Sequence, residues 1–379
     1  MTPTKVTPTK VTVGERSASE VLSWSRSVFA PALRDSVESL PASMRLIAGY
    51  HLGWWDSDGV PTDASGGKAI RPALALVCAQ AVGGVVEHAV PAAVAVELVH
   101  NFSLVHDDVM DRDDTRRHRA TAWTVFGVGN AILAGDALLT LAIEVLGASG
   151  GLPGRPPVAG ELIRTLCAAV QALIDGQNAD VSFESRTDVQ LSECLHMAGN
   201  KTGALISSAC ALGGLAGGGE LEQVDHLAKF GARLGLAFQV ADDLQGIWGD
   251  PAKTGKRAHG DLRNRKKSLP VVAALQSGTA AGEELAAWFA RTDDPTTAEL
   301  DRAAYLVEEA GGREWSRVTL ETLQDEATQH LRLVGPTAQA SAELGSLARL
   351  VTGSVPRPDG QDNSAVQGAA VDLVSIDPA

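Results

Sequence analysis

The chain has 379 residues, 45% of them apolar and 21% charged, with a formal charge of −14. That composition is globular, and the length gives a prior of two or three domains. The acidic balance excludes nucleic acid and anionic membrane surfaces as general partners, because both require clustered Lys and Arg.

The chain opens on a repeat, Thr2-Pro3-Thr4-Lys5-Val6 and then Thr7-Pro8-Thr9-Lys10-Val11. Residues 1–15 bury too little apolar surface to offset their ordering entropy, so they read as a disordered tail without a signal peptide. Residues 352–379, carrying Pro356, Pro358 and Gly360, read the same way. Tails of this kind are candidates for recruiting a protein partner.

Residues 16–351 read as one large all-α domain. Aromatic content is only 4% and there are 39 glycines, which favours closely packed helices over sheets. Val94, Leu98, Phe102 and Val105 recur at helical spacing, as do Leu138, Ala142, Ile143 and Leu146. Breakers at 147–157, 213–219, 249–260, 311–312 and 335–336 separate such segments. Cys78, Cys167, Cys194 and Cys210 show neither a C-x-x-C nor a zinc spacing, as expected of reduced thiols in the cytoplasm. The longest uncharged stretch, 203–219, is too short and too polar to span a bilayer.

The apolar helix over 90–109 runs into a cluster of five aspartates, Asp107, Asp108, Asp111, Asp113 and Asp114. Asp107 and Asp111 stand one turn apart on one face, where two carboxylates repel unless a cation lies between them. Hard divalent ions such as Mg²⁺ suit that arrangement and commonly bridge to substrate phosphates. Glu97 and His100 precede the cluster, and Arg116, Arg117 and Arg119 follow it. A second apolar helix carries Gln239, Asp242 and Asp243 between Phe238 and Trp248. Cations are scattered elsewhere, at Lys68, Arg71, Lys201, Lys256 and Lys266. Acids for metal on one side and bases on the other fit a diphosphate ester.

With these motifs in this order, the stretch from about 66 to 270 resembles the trans-isoprenyl diphosphate synthases, or polyprenyl synthetases. The matching elements are Gly66-Gly67-Lys68-Ala69-Ile70-Arg71-Pro72, the Glu97/His100 pair, Asp107-Asp108-Val109-Met110-Asp111 with Arg116-Arg117, Gly135-Asp136, Gly176-Gln177 with Asp180, Lys201-Thr202, and Phe238-Gln239-Val240-Ala241-Asp242-Asp243. The resemblance implies an all-α isoprenoid-synthase bundle around a deep central cavity, usually homodimeric. It implies head-to-tail condensation of isopentenyl diphosphate with an allylic diphosphate. Asp107 and Asp111, supported by Asp108, would hold two Mg²⁺ and Asp242 a third. Lys68, Arg71, His100 and Arg117 would bind isopentenyl diphosphate. Arg116, Lys201, Lys256 and Lys266 would bind the allylic diphosphate, with Thr202 and Gln239 lining the reacting centre. Phe102, five residues before Asp107, would touch the growing tail, a pattern similar to geranylgeranyl diphosphate synthases, with farnesyl diphosphate as the alternative product.

Three positions depart from the family pattern: Ala69 where Arg is usual, His118 where Gly is usual, and Gly246 where the second motif usually ends in Asp. Two rival readings stand beside this one, a class I terpene cyclase, which shares the fold and the first motif, and a non-catalytic partner. A class I terpene cyclase needs a metal triad on the second helix, but Gln245 and Gly249 stand at its positions. A non-catalytic partner subunit of a two-component synthase is supported by Gly246 alone and opposed by both intact Asp pairs.

Overall fold

A computed structural model describes residues 16–62, 64, 66–149, 158–250 and 259–353. Sixteen α-helices make up nearly all of it, as the periodicity predicts. Helix α1 (Ala18–Glu38) starts with a capping box in which Ser17 and Glu20 satisfy each other's backbone N–H groups. Helices α2 (Ala42–His51) and α3 (Ile70–Ala81) follow. Helix α4 (Val90–Met110) opens with Pro91 in its first turn, where the missing N–H costs nothing. It is buried almost all round, so it is the central helix.

Helices α5 (Ala122–Phe126), α6 (Val128–Gly147) and α7 (Ala159–Ser185) lead to α8 (Leu191–Ala198). A one-turn π-helical segment, Gly199–Gly203, joins α8 to α9 (Ala204–Ala216). Helix α10 (Leu221–Trp248) carries the second acidic pair. Helices α11 (Gly260–Arg263), α12 (Leu269–Leu275), α13 (Ala280–Phe289) and α14 (Thr297–Glu309) form a flank beside it. Helix α15 (Gly312–Val334) packs along α10, and α16 (Ala338–Thr352) lies against α1 and α3. The only strands among the described residues are Thr115–Arg116 and Arg119–Ala120, a two-residue hairpin.

The apolar interior is continuous around α4. Leu98 and Phe102 pack with Leu138 and Leu141 of α6, Leu166 and Leu173 of α7, and Leu205 and Leu212 of α9. A second cluster joins α3, α9, α10, α15 and α16 through Leu74, Phe230, Leu331 and Leu344. Small residues let α3 and α9 approach backbone to backbone. A Cβ added at Gly213 would overlap the carbonyl oxygen of Ala75, and one at Gly217 would lie 2.8 Å from the Ala79 Cα.

Two particulars extend the sequence reading. Helix α16 runs one residue into the expected C-terminal tail: Thr352 is buried, and its Oγ1 accepts a hydrogen bond from Gln324 Nε2 at 2.7 Å. Residues 1–15 and 354–379 lie outside the described residues. Among the described residues, two helices are long and apolar enough to cross a membrane by length and composition alone. One, Val86–Met110, is the central helix, with 72% of its apolar stretch buried; the other, Val128–Gly147, is only 33% buried.

The α3–α9 contact gives a direct test. Gly213→Ala forces the two backbones apart and should cost about 1–3 kcal/mol. Urea unfolding should show a lower midpoint at unchanged slope.

Candidate active site

The end of α4 places Asp107 and Asp111 one turn apart at the mouth of the interior. Asp108 points the other way. It is buried, and its Oδ1 accepts from Arg116 Nε at 2.6 Å. Arg116 and Arg119 pair across the hairpin, and Arg117 and His118 form its turn, both at positive φ (51° and 62°). Two such residues make the mirror-image turn that suits a two-residue hairpin, which explains why glycine is the ordinary occupant at 118.

Across the cleft from Asp107 and Asp111 stands the π-helical turn. Lys201 reaches Asp180 of α7, Nζ to Oδ2 at 2.6 Å, and its charge is felt by both Asp107 and Asp111. Burial pushes the Asp107 carboxyl up to about 6, with Lys201 opposing and Asp111 reinforcing the rise. Asp111 is raised by burial too, and Asp180, Asp113 and Glu184 add to that. Asp180 was part of a matched motif without an assigned role, and Glu184 gave no signal in sequence. Both become part of the acidic wall because α7 turns them toward α4.

The turn itself is wedged between glycines. A Cβ at Gly176 would lie 2.8 Å from the Lys201 Cα, and one at Gly235 would lie 2.6 Å from the Gly203 Cα. The buried Thr202 donates to Gln239 Oε1 at 2.8 Å. Gln239 Nε2 donates to Asp243 Oδ1 at 2.8 Å, and Asp243 Oδ2 accepts the backbone N–H of Leu269 at 2.9 Å. The chain of bonds fixes the Gln239 amide and ties α10 to the start of α12. Asp243 thus acts as a clamp, and its carboxyl is pushed up to about 6 by burial against the pull of Lys266. Lys266 feels Asp243, Asp261, Asp180 and Asp242 together, which raise its ammonium well above the usual range despite burial.

A cavity of about 360 Å³ adjoins the acidic cleft. Lys68, Arg71, His100 and Arg117 line it, the same four residues assigned to isopentenyl diphosphate, and Asp242 also borders it. Arg71 presents a buried Nε without a partner, and Glu97 a buried Oε2 without one. Burial, with Arg71 and Arg117 close by, holds the His100 imidazole well below its ordinary range, so it is neutral. Ala69 caps α3 in the left-handed region at φ 53°. A Cβ at Gly67 would come within 2.6 Å of the Arg117 guanidinium, so the loop closes directly over that cation.

Of the other expected residues, Phe102 is buried in the core below the first motif, its ring set edge-on against His106 at 4.8 Å between centroids. Lys256 lies outside the described residues. Tyr50, Trp54 and Trp55 serve the fold: Tyr50 donates to the Ala120 carbonyl, Trp55 to that of Leu46, and Trp54 packs against the main core.

The donor set fits Mg²⁺. Among the described residues no three His, Cys, Asp or Glu side chains form a closed cage. Mg²⁺ characteristically takes one or two carboxylates and completes its shell with water and substrate phosphate. Asp107 and Asp111 offer such a pair, and burial raises both carboxyls above the ordinary range, a penalty that a bound cation would lift.

Comparison with known proteins agrees. The polyprenyl synthetase family model matches residues 62–307. The chain is 45% identical over 334 residues to a (2E,6E)-farnesyl diphosphate synthase of Mycobacterium tuberculosis, covering 87% of this chain and 92% of the relative. It is 43% identical over 331 residues to a geranylgeranyl diphosphate synthase of the same species, with the same coverage. Its structure is similar to that of a polyprenyl synthetase from Streptomyces coelicolor A3(2), with a TM-score of 0.84 and 47% identity over 88% of this chain and 99% of that one.

Cation and proton compete for Asp107. Because its carboxyl stays protonated up to about 6, Mg²⁺ binding at pH 6 should expel about half a proton and at pH 8 almost none. A pH-stat titration reads this directly, and Asp107→Asn should abolish the difference. Equal release at both pH values would refute the assignment.

Proposed function

Because the chain belongs to the polyprenyl synthetase family and is a trans-prenyltransferase, we propose that it condenses isopentenyl diphosphate with an allylic diphosphate to give geranylgeranyl diphosphate. The observation that carries the substrate assignment is the 360 Å³ cavity, where Lys68, Arg71, His100 and Arg117 converge beside an acidic cleft.

By our reading Asp107, Asp111 and Asp242 would hold three Mg²⁺, which when bound would supply Lewis-acid stabilisation of the departing diphosphate. The side chains do the rest. Lys201 faces the Asp107/Asp111 pair and would neutralise negative charge on the leaving group, with Arg116 and Lys266 adding positive charge to the site. Lys68, Arg71 and Arg117 anchor the isopentenyl diphosphate, and neutral His100 offers it a hydrogen bond without adding charge. Thr202 and Gln239, locked to each other, form the polar lip of the reacting centre. The apolar walls below exclude water from the allylic cation. Isopentenyl attack forms the new carbon–carbon bond, and the released diphosphate accepts the proton then lost. No protein nucleophile is needed.

Product length depends on Phe102. Small Ser103 beside it leaves depth for a twenty-carbon chain, which supports geranylgeranyl diphosphate. Farnesyl diphosphate is the second reading, favoured by the His106 contact that holds the Phe102 ring in place. Incubation of the purified protein with Mg²⁺, isopentenyl diphosphate and each allylic primer, followed by identification of the dephosphorylated alcohol, decides between them. No condensation with any primer would refute the function. Asp107→Ala should abolish turnover, and Phe102→Ala should lengthen the product; unchanged length would show that Phe102 is not the floor.

We also propose a homodimer in the cytoplasm. Four cysteines, all free thiols, support the reduced compartment. Helices α6 and α7 pack together and expose Val128, Ile132, Leu133, Ile174 and Val181, with Leu133 55% accessible. An apolar face of that kind calls for a covering surface, and a second copy supplies an identical one. Leu133→Glu should convert the dimer to monomer in light scattering after size exclusion; an unchanged mass would place the interface elsewhere.

A further inference from the structure

A second cavity, of about 520 Å³, lies between α7, the π-helical turn, α9 and α10, and shares no residue with the cavity of Lys68 and Arg71. Its volume is in the range of sites that enclose a small organic ligand. Methyl groups form much of its wall: Ala168 and Ala172 of α7, Ala204 and Ala211 of α9, Ala228 and Ala232 of α10. Ile174 lies two residues beyond Ala172 on α7, so the apolar face offered above to a second copy is on the other side of that helix.

Polar groups give this groove a preference. Ser208 lines it, is only 4% exposed, and its Oγ has no hydrogen-bond partner. Ser207 beside it donates to the Ala228 carbonyl at 2.8 Å, so the protein satisfies one hydroxyl of the two. A buried hydroxyl without a partner is costly, and a ligand carrying one hydrogen-bonding group removes that cost. Asn200 Nδ2 donates to Asp175 Oδ2 at 2.9 Å and lies 3.0 Å from His196 Nε2. The Asp175 carboxylate disfavours an anion in the groove, and the Arg233 guanidinium is paired with Glu326 at 2.7 Å. A diphosphate is therefore unsuited to this groove, and an uncharged head is suited.

Gly199, Asn200 and Gly203 line the groove, while Lys201 and Thr202, between them in the same turn, bond to Asp180 and Gln239 at the catalytic cleft. We propose that the groove binds an uncharged small molecule with an apolar body and one hydrogen-bonding group, received by Ser208, and that occupancy is transmitted through the turn to Lys201 and Thr202. Displacement of the turn lengthens those two bonds, so an occupant slows turnover. The effect on turnover rests on the synthase reading above; the binding does not.

Isothermal titration calorimetry of the full chain with 1-octanol, and with octanoate as its anionic counterpart, tests the site. 1-Octanol should bind saturably, and octanoate about ten-fold more weakly. Ser208→Ala should weaken 1-octanol about five-fold and raise the melting temperature of the free protein, because it deletes the unpartnered hydroxyl. Ala172→Trp, at a partly exposed position where the ring fills the groove without entering the core, should abolish binding. In the condensation assay, saturating 1-octanol should lower kcat about two-fold or more in the unmodified chain and leave Ala172→Trp unaffected. Absence of saturable binding, or equal binding by Ala172→Trp, overturns the site. Octanoate bound as tightly as 1-octanol overturns the uncharged class, undiminished binding by Ser208→Ala overturns the role of that hydroxyl, and binding without a change in kcat overturns transmission through the turn. Groove binding in a chain that condenses no primer overturns the synthase reading alone.

Discussion

Carboxylates set against apolar helices are the constraint around which this fold is arranged. Each is costly to ionise there unless a positive partner compensates it. Helix α4 brings Asp107, Asp108 and Asp111 to the edge of the core; α10 brings Asp242 and Asp243, and α7 adds Asp180. The protein supplies partial compensation in each case. Arg116 takes Asp108, Lys201 takes Asp180, and Lys266 serves the second cluster. What it leaves uncompensated, chiefly Asp107 and Asp111, is negative charge at the cleft mouth. On the proposed function, metal ions would balance that charge and a diphosphate would balance the metals, so binding of the two would be coupled by electrostatics before any chemistry begins.

The same logic separates the residues that were legible in sequence from those that were not. Asp107 and Asp111 were readable because their spacing lies within one helix, where period alone fixes a shared face. Lys68, Arg71, His100 and Arg117 were readable only through the order of motifs, since three different elements carry them into one cavity. The clamp from Asp243 to the Leu269 N–H joins positions on separate helices, and no local pattern announces it. Asp261 was hidden for a related reason. Gly246 looks like a loss in sequence, whereas in three dimensions the Asp261 carboxylate of α11 lies directly beside it. His118 shows the converse: the departure from glycine was visible, but its meaning, a positive-φ position in a two-residue hairpin, needed the backbone.

The composition also changes meaning once the helices are assembled. The abundant glycines first indicated close helix packing in general. Their particular use is to seat the π-helical turn. Gly176 on α7 and Gly235 on α10 press against Lys201 and Gly203 from two sides, and neither leaves room for a methyl group. A wide turn is ordinarily the poorer helical geometry and occurs mostly at functional sites. Here it turns Lys201 toward the carboxylates and Thr202 toward Gln239 from consecutive positions. Glycine on both flanks converts a local irregularity into a rigid one.

The two ends of the described body meet near the cavity that holds Lys68 and Arg71. Arg16, just before α1, makes two bonds to the fully buried Glu343 of α16, at 2.7 and 2.8 Å. Breaking a buried pair of this kind leaves an uncompensated charge, so the pair fixes α16 more firmly than its net contribution to stability implies. Two turns further on, Leu350 and Val351 line the cavity that holds Lys68 and Arg71. The C-terminal helix therefore forms part of the cavity wall, and its position depends on a residue at the opposite end of the described body. Shape in that cavity is set by apolar contacts from α16 and charge by α3 and the hairpin. On the proposed function, recognition of isopentenyl diphosphate would draw on both, and the fold obtains them by closing its ends over one another.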